Sequence, residues 1–489
     1  MNEHPEDRID RERRSFLLRT SIGLGALSFA ELSGGGVANA LASGVAVPIS
    51  SATNLGILGT GQIPARAKRV IVLHMLGAIS HVDTFDYKPM LAKMHGQEMP
   101  GSVRNSQRLS TMSGGQSAFP IVGPIAKFQQ RGRSGAWVSD LLPHTASIAD
   151  DLCFIKTMHT EHVNHDPASK FLHTGFQLAG RPSAGAWTSY ALGSDNANLP
   201  NYIVMNAGIS MGVPQDAATW GAGFLPSHNQ GVLFRSGANP VLYAENPDGV
   251  VAADRRALLD ALAGLTKTDY ERSRDPEILS RIKQYEMAYR MQKSVPEVAD
   301  ISDEPDHVLD MYGPEVRQPG TYAHNCLMAR RLVERGVKYI TNFGMGWDMH
   351  NGLATSMPVR CKMVDQPTAA LVKDLKQRGL LEDTLVMFGS EFGRTPFAQG
   401  TLSTNFGRDH HGGAFTWWLA GGNVKAGYTH GATDDFAYNI VKDPVHIHDL
   451  NATLMYILGI DHKQLTFRSQ GRDFRLTDVH GEVVKALLA

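Results

Sequence analysis

The stretch RVIVLHM at residues 69–75 decides the fold of this chain. It is a short apolar run that contains β-branched residues and ends just before Gly77, which is the pattern of a buried strand. Comparable runs recur along the chain. They predict further strands at residues 153–158, 202–205, 339–343, 385–388 and 415–419.

Helical patterns lie between these predicted strands. Residues 322–335, 359–378 and 447–458 are predicted helices, and a glycine that can stop a helix follows each of them. Strands that alternate with helices indicate the α/β class, with a mainly parallel central sheet and helices on both faces. Ligands bind such sheets in the crevice beyond the carboxyl ends of the strands.

The first 40 residues have the pattern of a twin-arginine signal peptide. Arg13-Arg14 precedes a weakly apolar stretch, and Ala38-Asn39-Ala40 fits a signal peptidase site. An amphipathic first helix is the alternative. The sequence therefore predicts export by the twin-arginine pathway to the periplasm. The apolar stretch is far shorter than the ~20 residues that span a bilayer, so we expect no transmembrane segment.

The rest of the chain is predicted to form a linker and one domain. Residues 41–67 are rich in Gly, Ala and Ser and form the predicted linker, and residues 68–489 form the α/β domain. Residues 250–300 are charged and strongly helical, which predicts a helical insertion. The formal net charge of −1 gives no electrostatic reason to expect nucleic acid as a partner.

Five polar clusters lie where this crevice is expected. They occupy residues 80–86, 159–166, 347–350, 389–394 and 408–413. Imidazole and carboxylate together suit zinc, manganese or iron, and such a metal can polarise an ester oxygen and activate water. An anionic ester also needs a cation, for which Arg394 or Arg408 is a candidate.

Each cluster also has a purely structural interpretation. Asp83 and Asp86 can cap turns and a helix, and Asp409 can form a loop network with the two histidines that follow it. His74 lies inside a strand, and we expect it to be structural. The recurrence of five such clusters at strand ends favours a functional site over these alternatives.

Several motifs resemble the family called domain of unknown function 1501. They are DTFDYKP at 83–89, GWDMH at 346–350, GSEFGRTP at 389–396, GRDHH at 407–411, and the tail from 446–453 to 471–472. The resemblance covers nearly all of the chain after residue 40. That family is similar to a branch of the alkaline-phosphatase/sulfatase superfamily, so the resemblance implies an alkaline-phosphatase-like fold and twin-arginine export.

The resemblance also implies a set of metal ligands. Superfamily members carry an Asp and a His after one late strand, which Asp348 and His350 match with a shorter spacing. They carry an Asp-His pair after the next strand, where this chain has Glu391 and then Phe392, which cannot bind metal. A further histidine follows in the superfamily. His410 or His411 is at that position in this chain.

The superfamily's nucleophile is the least well matched feature. A count back from Thr174-Gly175 puts His165 near the nucleophile position, where the superfamily has a hydroxyl or a modified cysteine. Asp83 is the nearest carboxylate after the first strand. His165 and Asp83 are therefore predicted as a second ligand set or as nucleophile and base, and Arg394 as the residue that holds the anionic group.

The leading functional hypothesis is an exported metal-dependent hydrolase of a sulfate or phosphate ester. Its substrate would be an anionic ester of a small molecule or saccharide. The main alternative is a non-catalytic binding protein, because the superfamily's second histidine and its usual nucleophile are absent. A phosphomutase-like transferase is a third possibility.

Overall fold

A computed structural model describes the chain at residues 56–59, 61–208, 213, 216–235, 240–241, 246 and 249–489. The predicted signal peptide and residues 41–55 of the predicted linker lie outside the described residues. The described part belongs to one compact unit, Thr53–Ala489. At the end of the predicted linker, Gln62 donates its backbone N–H to the carbonyl of Gly459 at 2.9 Å.

A nine-stranded sheet forms the centre of this unit. In chain order its strands are β1 Arg69–Leu76, β2 Leu152–His159, β3 Tyr202–Ala207, β4 Val232–Phe234, β5 Tyr339–Met345, β6 Thr384–Gly389, β7 Phe415–Ala420, β8 Tyr428–His430 and β9 Val445–His446. The spatial order is β8-β2-β7-β6-β1-β5-β3-β4, and β9 pairs with β2. Strand β7 runs antiparallel to both of its neighbours, whereas the other pairings in the sheet are parallel.

All six predicted strands are confirmed, with ends that differ by at most two residues. The short strands β4, β8 and β9 were not predicted, because two or three residues carry too little periodicity to recognise. The direction of β7 was not predicted either. Its apolar run is buried on both faces, and this composition is the same for a parallel and an antiparallel strand.

Eight helices of seven or more residues are described. They are α1 His165–Thr174, α2 Ala184–Leu192, α3 Ala252–Ser273, α4 Pro276–Ala299, α5 Asp306–Tyr312, α6 Tyr322–Glu334, α7 Leu353–Gln377 and α8 Ile447–Ile457. The side chains of β1 alternate between two separate apolar cores. Ile71 and Leu73 pack with residues of α6 and α7, while Val70 and Val72 pack with residues of α1, α2 and α8. The predicted α/β sheet with helices on both faces is therefore confirmed.

Helix α7 begins at Leu353 and not at residue 359 as predicted. Pro358 lies inside the helix, and a proline at an interior position usually breaks the backbone ladder. Here Leu353 and Met357 are buried against the core. Their burial outweighs the local cost of the proline and extends the helix toward its N-terminus.

Shorter elements surround the sheet. They are the helices His81–Thr84, Pro89–Lys93, Gly101–Arg104 and Pro143–Ala146, and the antiparallel pairs Phe128–Arg131 with Ala136–Ser139, Gly393–Ala398 with Arg408–His411, Ala432–Thr433 with Ile440–Lys442, and Phe467–Ser469 with Arg472–Phe474. Residues 96–135 contain one helical turn and one short strand of these elements. Helices α3 and α4 occupy the predicted insertion at 250–300. None of the helices in the described part is long and apolar enough to cross a membrane.

The turn after β1 requires a glycine. Gly77 has φ +105°, and a Cβ there would lie 2.6 Å from the backbone nitrogen of Asp348. Its own N–H donates to Glu391 at 2.9 Å. The carboxyl ends of β1, β5 and β6 are thereby packed at distances that leave no room for a side chain at residue 77.

We expect Gly77→Ala to destabilise the protein by about 2 kcal/mol or more, because it adds both backbone strain and a backbone clash. Gly379→Ala is the matched control, since Gly379 has φ +66° but no heavy atom within 4 Å of its Cβ position. The free energy of unfolding in urea measures both. If Gly77→Ala lowers the free energy of unfolding no more than the control does, the turn is not close-packed.

Candidate metal centre

Three separate segments bring four metal-ligating side chains together. His165 is the first residue of α1, Asp348 and His350 follow β5, and His410 lies in the short strand before β7. One ligand atom from each side chain lies within 4.8 Å of the others. Because β7 runs antiparallel, its N-terminal end lies at the carboxyl edge of the parallel strands, and this brings His410 to the site.

The Oδ1 atom of Asp348 is the centre of this cluster. It lies 2.8 Å from His350 Nε2, and 3.2 Å from the Nε2 atoms of both His165 and His410. The side chains of Asp348 and His350 are 19% and 17% exposed, whereas His165 and His410 are 8% exposed. Solvent or a ligand therefore reaches the cluster from the side of Asp348 and His350.

Each of the three imidazoles is held from behind through its Nδ1 atom. His165 Nδ1 lies 2.5 Å from Glu391 Oε1, His410 Nδ1 lies 2.7 Å from the carbonyl of Val163, and His350 Nδ1 contacts Gln399 Oε1. These oxygens can only accept a hydrogen bond, so Nδ1 carries the proton in each ring. Every Nε2 lone pair is therefore directed at Asp348.

This arrangement fits a metal cation. The Nε2 atom of His165 is buried and has no hydrogen-bond partner, although a carboxylate oxygen lies close to it. A proton placed among these atoms joins only two of them, whereas a metal ion accepts electron pairs from all four. Three imidazole nitrogens and one carboxylate oxygen are a donor set used by zinc, manganese and iron.

The pKa values of these groups reflect their mutual contacts. Burial raises the pKa of Asp348, but the contacts with His165, His350 and His410 and the charge of Arg394 outweigh burial and hold the pKa well below its usual range. Burial lowers the pKa of His165, yet Asp348 and Glu391 together raise it above the ordinary value. The groups that stabilise a proton on His165 Nε2 also stabilise a metal ion there, so proton and metal compete for this atom.

Glu391 lies behind the cluster and not within it. Its carboxylate is fully buried, and its Oε2 lies 2.9 Å from His74 Nε2, while His74 Nδ1 lies 2.9 Å from His173 Nε2. Burial raises the pKa of Glu391, but the hydrogen bonds with His165 and His74 keep it below its usual range. A buried carboxylate that accepts from the Nδ1 of a ligand orients that ligand and increases its basicity.

Arg394 neutralises Asp348, and each of its three guanidinium nitrogens donates to an acceptor within the protein. It donates to Asp348 Oδ1 at 2.6 Å, to the carbonyls of Ala78 and Arg408 at 3.1 Å, and to the carbonyls of Gly77 and Trp347. The side chain is 2% exposed. In this arrangement Arg394 is held by acceptors of the protein itself.

Like Glu391 and Arg394, two further predicted site residues, Asp83 and His411, lie outside the cluster. Asp83 accepts from Arg408 at 2.7 and 3.1 Å, and both of these side chains are completely buried. His411 lies next to His410 in sequence but faces the other way, with its Nε2 2.7 Å from the carbonyl of Tyr438. Alternate residues of a strand point to opposite sides, so only one of two adjacent histidines can reach the cluster.

Sequence reasoning missed three contributors to the site. Gln399 supports His350, His74 supports Glu391, and Asp409 accepts from Ser110 and Ser113 and lies 3.9 Å from His350. The signal available for His74 was a single histidine in an otherwise apolar buried strand. Such a residue needs a buried polar partner, which the sequence does not identify.

A cavity of about 740 Å³ lies next to the cluster. Val163 and Gly412 line it, and the carbonyl of Val163 is the acceptor that holds His410. Arg108, whose side chain is exposed, also lines the cavity. The cavity is large enough for a small-molecule ligand and offers a cation.

The chain belongs to the family described as "Protein of unknown function (DUF1501)", whose model matches residues 67–488. No curated protein matches the chain in sequence.

Three solved structures illustrate what the chain is similar to. The PsFucS1 sulfatase from Pseudoalteromonas sp. is 15% identical, with 87% of this chain and 72% of that chain covered and a TM-score of 0.36. The lipoteichoic acid synthase LtaP from Listeria monocytogenes is 8% identical, with coverages of 85% and 78% and a TM-score of 0.32. The alkaline phosphatase from the Antarctic bacterium TAB5 is 10% identical, with coverages of 80% and 98% and a TM-score of 0.30.

The position of Glu391 generates a prediction about metal affinity. Glu391→Gln keeps the shape of the side chain but removes the charge behind His165, so we expect affinity for Zn²⁺ or Mn²⁺ to fall about 10- to 100-fold. Glu482→Gln is the control, because Glu482 is an exposed carboxylate paired with Lys463. Competition with a chromogenic chelator measures both. Equal affinity in Glu391→Gln and wild type would show that Glu391 does not orient a ligand.

His411 generates a prediction about pH. Burial lowers its pKa to about 3, so the unfolded chain binds a proton near pH 6.5 that the folded chain does not bind until about pH 3. The free energy of unfolding should therefore fall as pH decreases through this range, by at most about 1.4 kcal/mol per pH unit from this residue. Between pH 7 and pH 4, the free energy of unfolding in urea should decrease less for His411→Gln than for wild type. The exposed control His307→Gln should show the same decrease as wild type. The same dependence of the free energy of unfolding on pH in wild type, His411→Gln and His307→Gln would contradict the prediction.

Proposed function

We propose that this chain is an exported, metal-dependent hydrolase of a sulfate or phosphate ester. One observation carries the proposal. Three imidazole Nε2 atoms and one carboxylate oxygen lie within 4.8 Å of one another, and every imidazole is held in the tautomer that binds metal. Buried, oriented ligands of this kind are typical of a metal centre and not of a surface charge network.

His165, His350, His410 and Asp348 would hold the metal. A divalent ion at this position supplies a Lewis acid for an ester oxygen and lowers the pKa of a bound water. The role of His165 is then that of a ligand, since its Nδ1 is engaged by Glu391 and its Nε2 faces the cluster. Arg394 would balance the charge of Asp348, which leaves the anionic group of the substrate to another cation.

Arg108 is the cation best placed for that anionic group. It lines the cavity bordered by Val163 and Gly412, next to His410, where an ester could bind beside the cluster. A guanidinium binds the oxygens of sulfate or phosphate through paired hydrogen bonds. The volume of the cavity suits a small molecule or a saccharide unit as the remainder of the ester.

Export is supported by the N-terminal sequence alone. The twin-arginine motif and the Ala38-Asn39-Ala40 site would direct the chain to the periplasm. That pathway carries folded proteins, which is compatible with a metal bound by ligands from distant parts of the chain.

A second candidate function is a metal-holding protein without catalysis. It is favoured by the number of donors, because four protein ligands fill the tetrahedral shell of zinc and leave no position for water. Manganese and iron accept more than four ligands, so they would leave a position for a substrate or a water. The identity of the bound metal therefore distinguishes the two functions.

Elemental analysis and an ester screen on protein beginning at residue 41 test the proposal together. We expect about one equivalent of manganese, iron or zinc per chain, lost in His350→Ala and retained in the exposed control His307→Ala. Hydrolysis of aryl sulfate or aryl phosphate esters should fall at least ~100-fold in His350→Ala, because the transition-state charge loses its metal.

The outcomes separate the two functions. Bound metal with no hydrolysis of any ester would favour the metal-holding protein. If wild type contains no metal, or if His350→Ala keeps its metal, the cluster is not the metal centre. Hydrolysis that persists without metal would contradict the proposed chemistry.

A further inference from the structure

Helix α3 exposes a continuous apolar ridge. Leu258, Leu262 and Leu265 are 51%, 37% and 69% exposed, and Val251, which caps the helix, is 60% exposed. Their spacing of seven, four and three residues places them on one face of the helix. The adjacent face of α3 packs on α4, where Leu259 is buried and borders the same depression as Leu262.

Helix α4 extends this ridge. Tyr285 is 51% exposed and borders the same shallow depression as Leu262. Eleven large hydrophobic residues of the described chain are exposed, and five of them belong to this ridge. Single exposed hydrophobic residues are ordinary on a protein surface, but a concentration of this kind marks an interaction surface.

The charges along α3 favour an identical helix as the partner. Asp254 and Arg255 lie near its N-terminal end, and Asp269 and Arg272 lie near its C-terminal end. Arg255 and Asp269 are each seven residues, or two turns, from Leu262. When a second α3 runs antiparallel across Leu262, Arg255 faces the second copy's Asp269, and Asp254 lies within two residues of the position opposite the second copy's Arg272. Asp269 and Arg272 also pair with each other on the same helix at 2.9 Å. A two-fold interface requires this kind of self-complementarity.

We propose that α3 docks antiparallel on α3 of a second copy of this chain and forms a homodimer about a two-fold axis near Leu262. The leucines meet at the centre, and the opposite charges close the two ends. A helix of 22 residues offers a strip of about 33 by 12 Å, or roughly 400 Å² per copy. The total of about 800 Å² is below the ~1,200 Å² of standard specific interfaces, so the dimer is weak and concentration-dependent.

Analytical ultracentrifugation of wild type from about 1 to 100 μM tests the dimer. The expected result is a shift from monomer to dimer mass across this range. Leu262→Glu should be monomeric throughout, because it places a charge at the centre of the interface. The control Leu178→Glu should behave like wild type, since Leu178 is an exposed leucine (61%) that lies outside the ridge. Circular dichroism and thermal unfolding verify that both variants are folded.

Charge reversal tests the antiparallel arrangement. Arg272→Asp alone should weaken dimerisation at least ~10-fold. At each end of the interface, the new aspartate lies close to Asp254 of the other copy and repels it. Asp254→Arg combined with Arg272→Asp restores opposite charges at both ends and should restore the dimer. A wild type that is monomeric at all concentrations, or a Leu262→Glu variant that still dimerises, would overturn the proposal. If the double variant dimerises no better than Arg272→Asp alone, the antiparallel arrangement is overturned.

Discussion

The site depends on one electrostatic constraint, which is the position of Asp348 Oδ1 among three imidazole lone pairs. A buried carboxylate is costly unless positive groups surround it, and here Arg394 supplies one fixed positive charge. Glu391 adds a second negative charge behind His165. The two carboxylates exceed the fixed positive charge, so the site requires further positive charge at the Nε2 atoms. A divalent cation satisfies this requirement and the four donor atoms at the same time.

Much of the fold could be predicted because its elements are local. The strands at β1, β2, β3, β5, β6 and β7 are apolar runs of sufficient length, and the glycines at 336, 379 and 459 end the predicted helices. The start of α7 could not be predicted, because burial of Leu353 and Met357 overrides the proline that follows. The reversed direction of β7 depends on which strands it joins, and that information is not present in its own residues.

The site was predictable only in part, for a related reason. Strand ends placed Asp348, His350 and the pair His410 and His411 in polar clusters, and the family resemblance made Asp348, His350 and one of the two adjacent histidines candidate ligands. It could not distinguish a ligand from the residue that supports a ligand, because that difference depends on contacts between distant segments. Glu391, with a buried position behind His165, shows this for the metal centre. Asp83 shows it for the core, where its carboxylate forms an ion pair with Arg408 and is not available to a substrate.

The origin of the four ligands in three distant segments also bears on how the protein assembles. The contacts among residues 165, 348, 350 and 410 are of high contact order, and closing the long loops between them costs entropy before the contacts form. A nascent chain that ends before residue 410 lacks one of the four ligands. The cluster is therefore completed late in folding, and a metal bound there would link the first half of the α/β domain to its last third and slow the separation of the two parts.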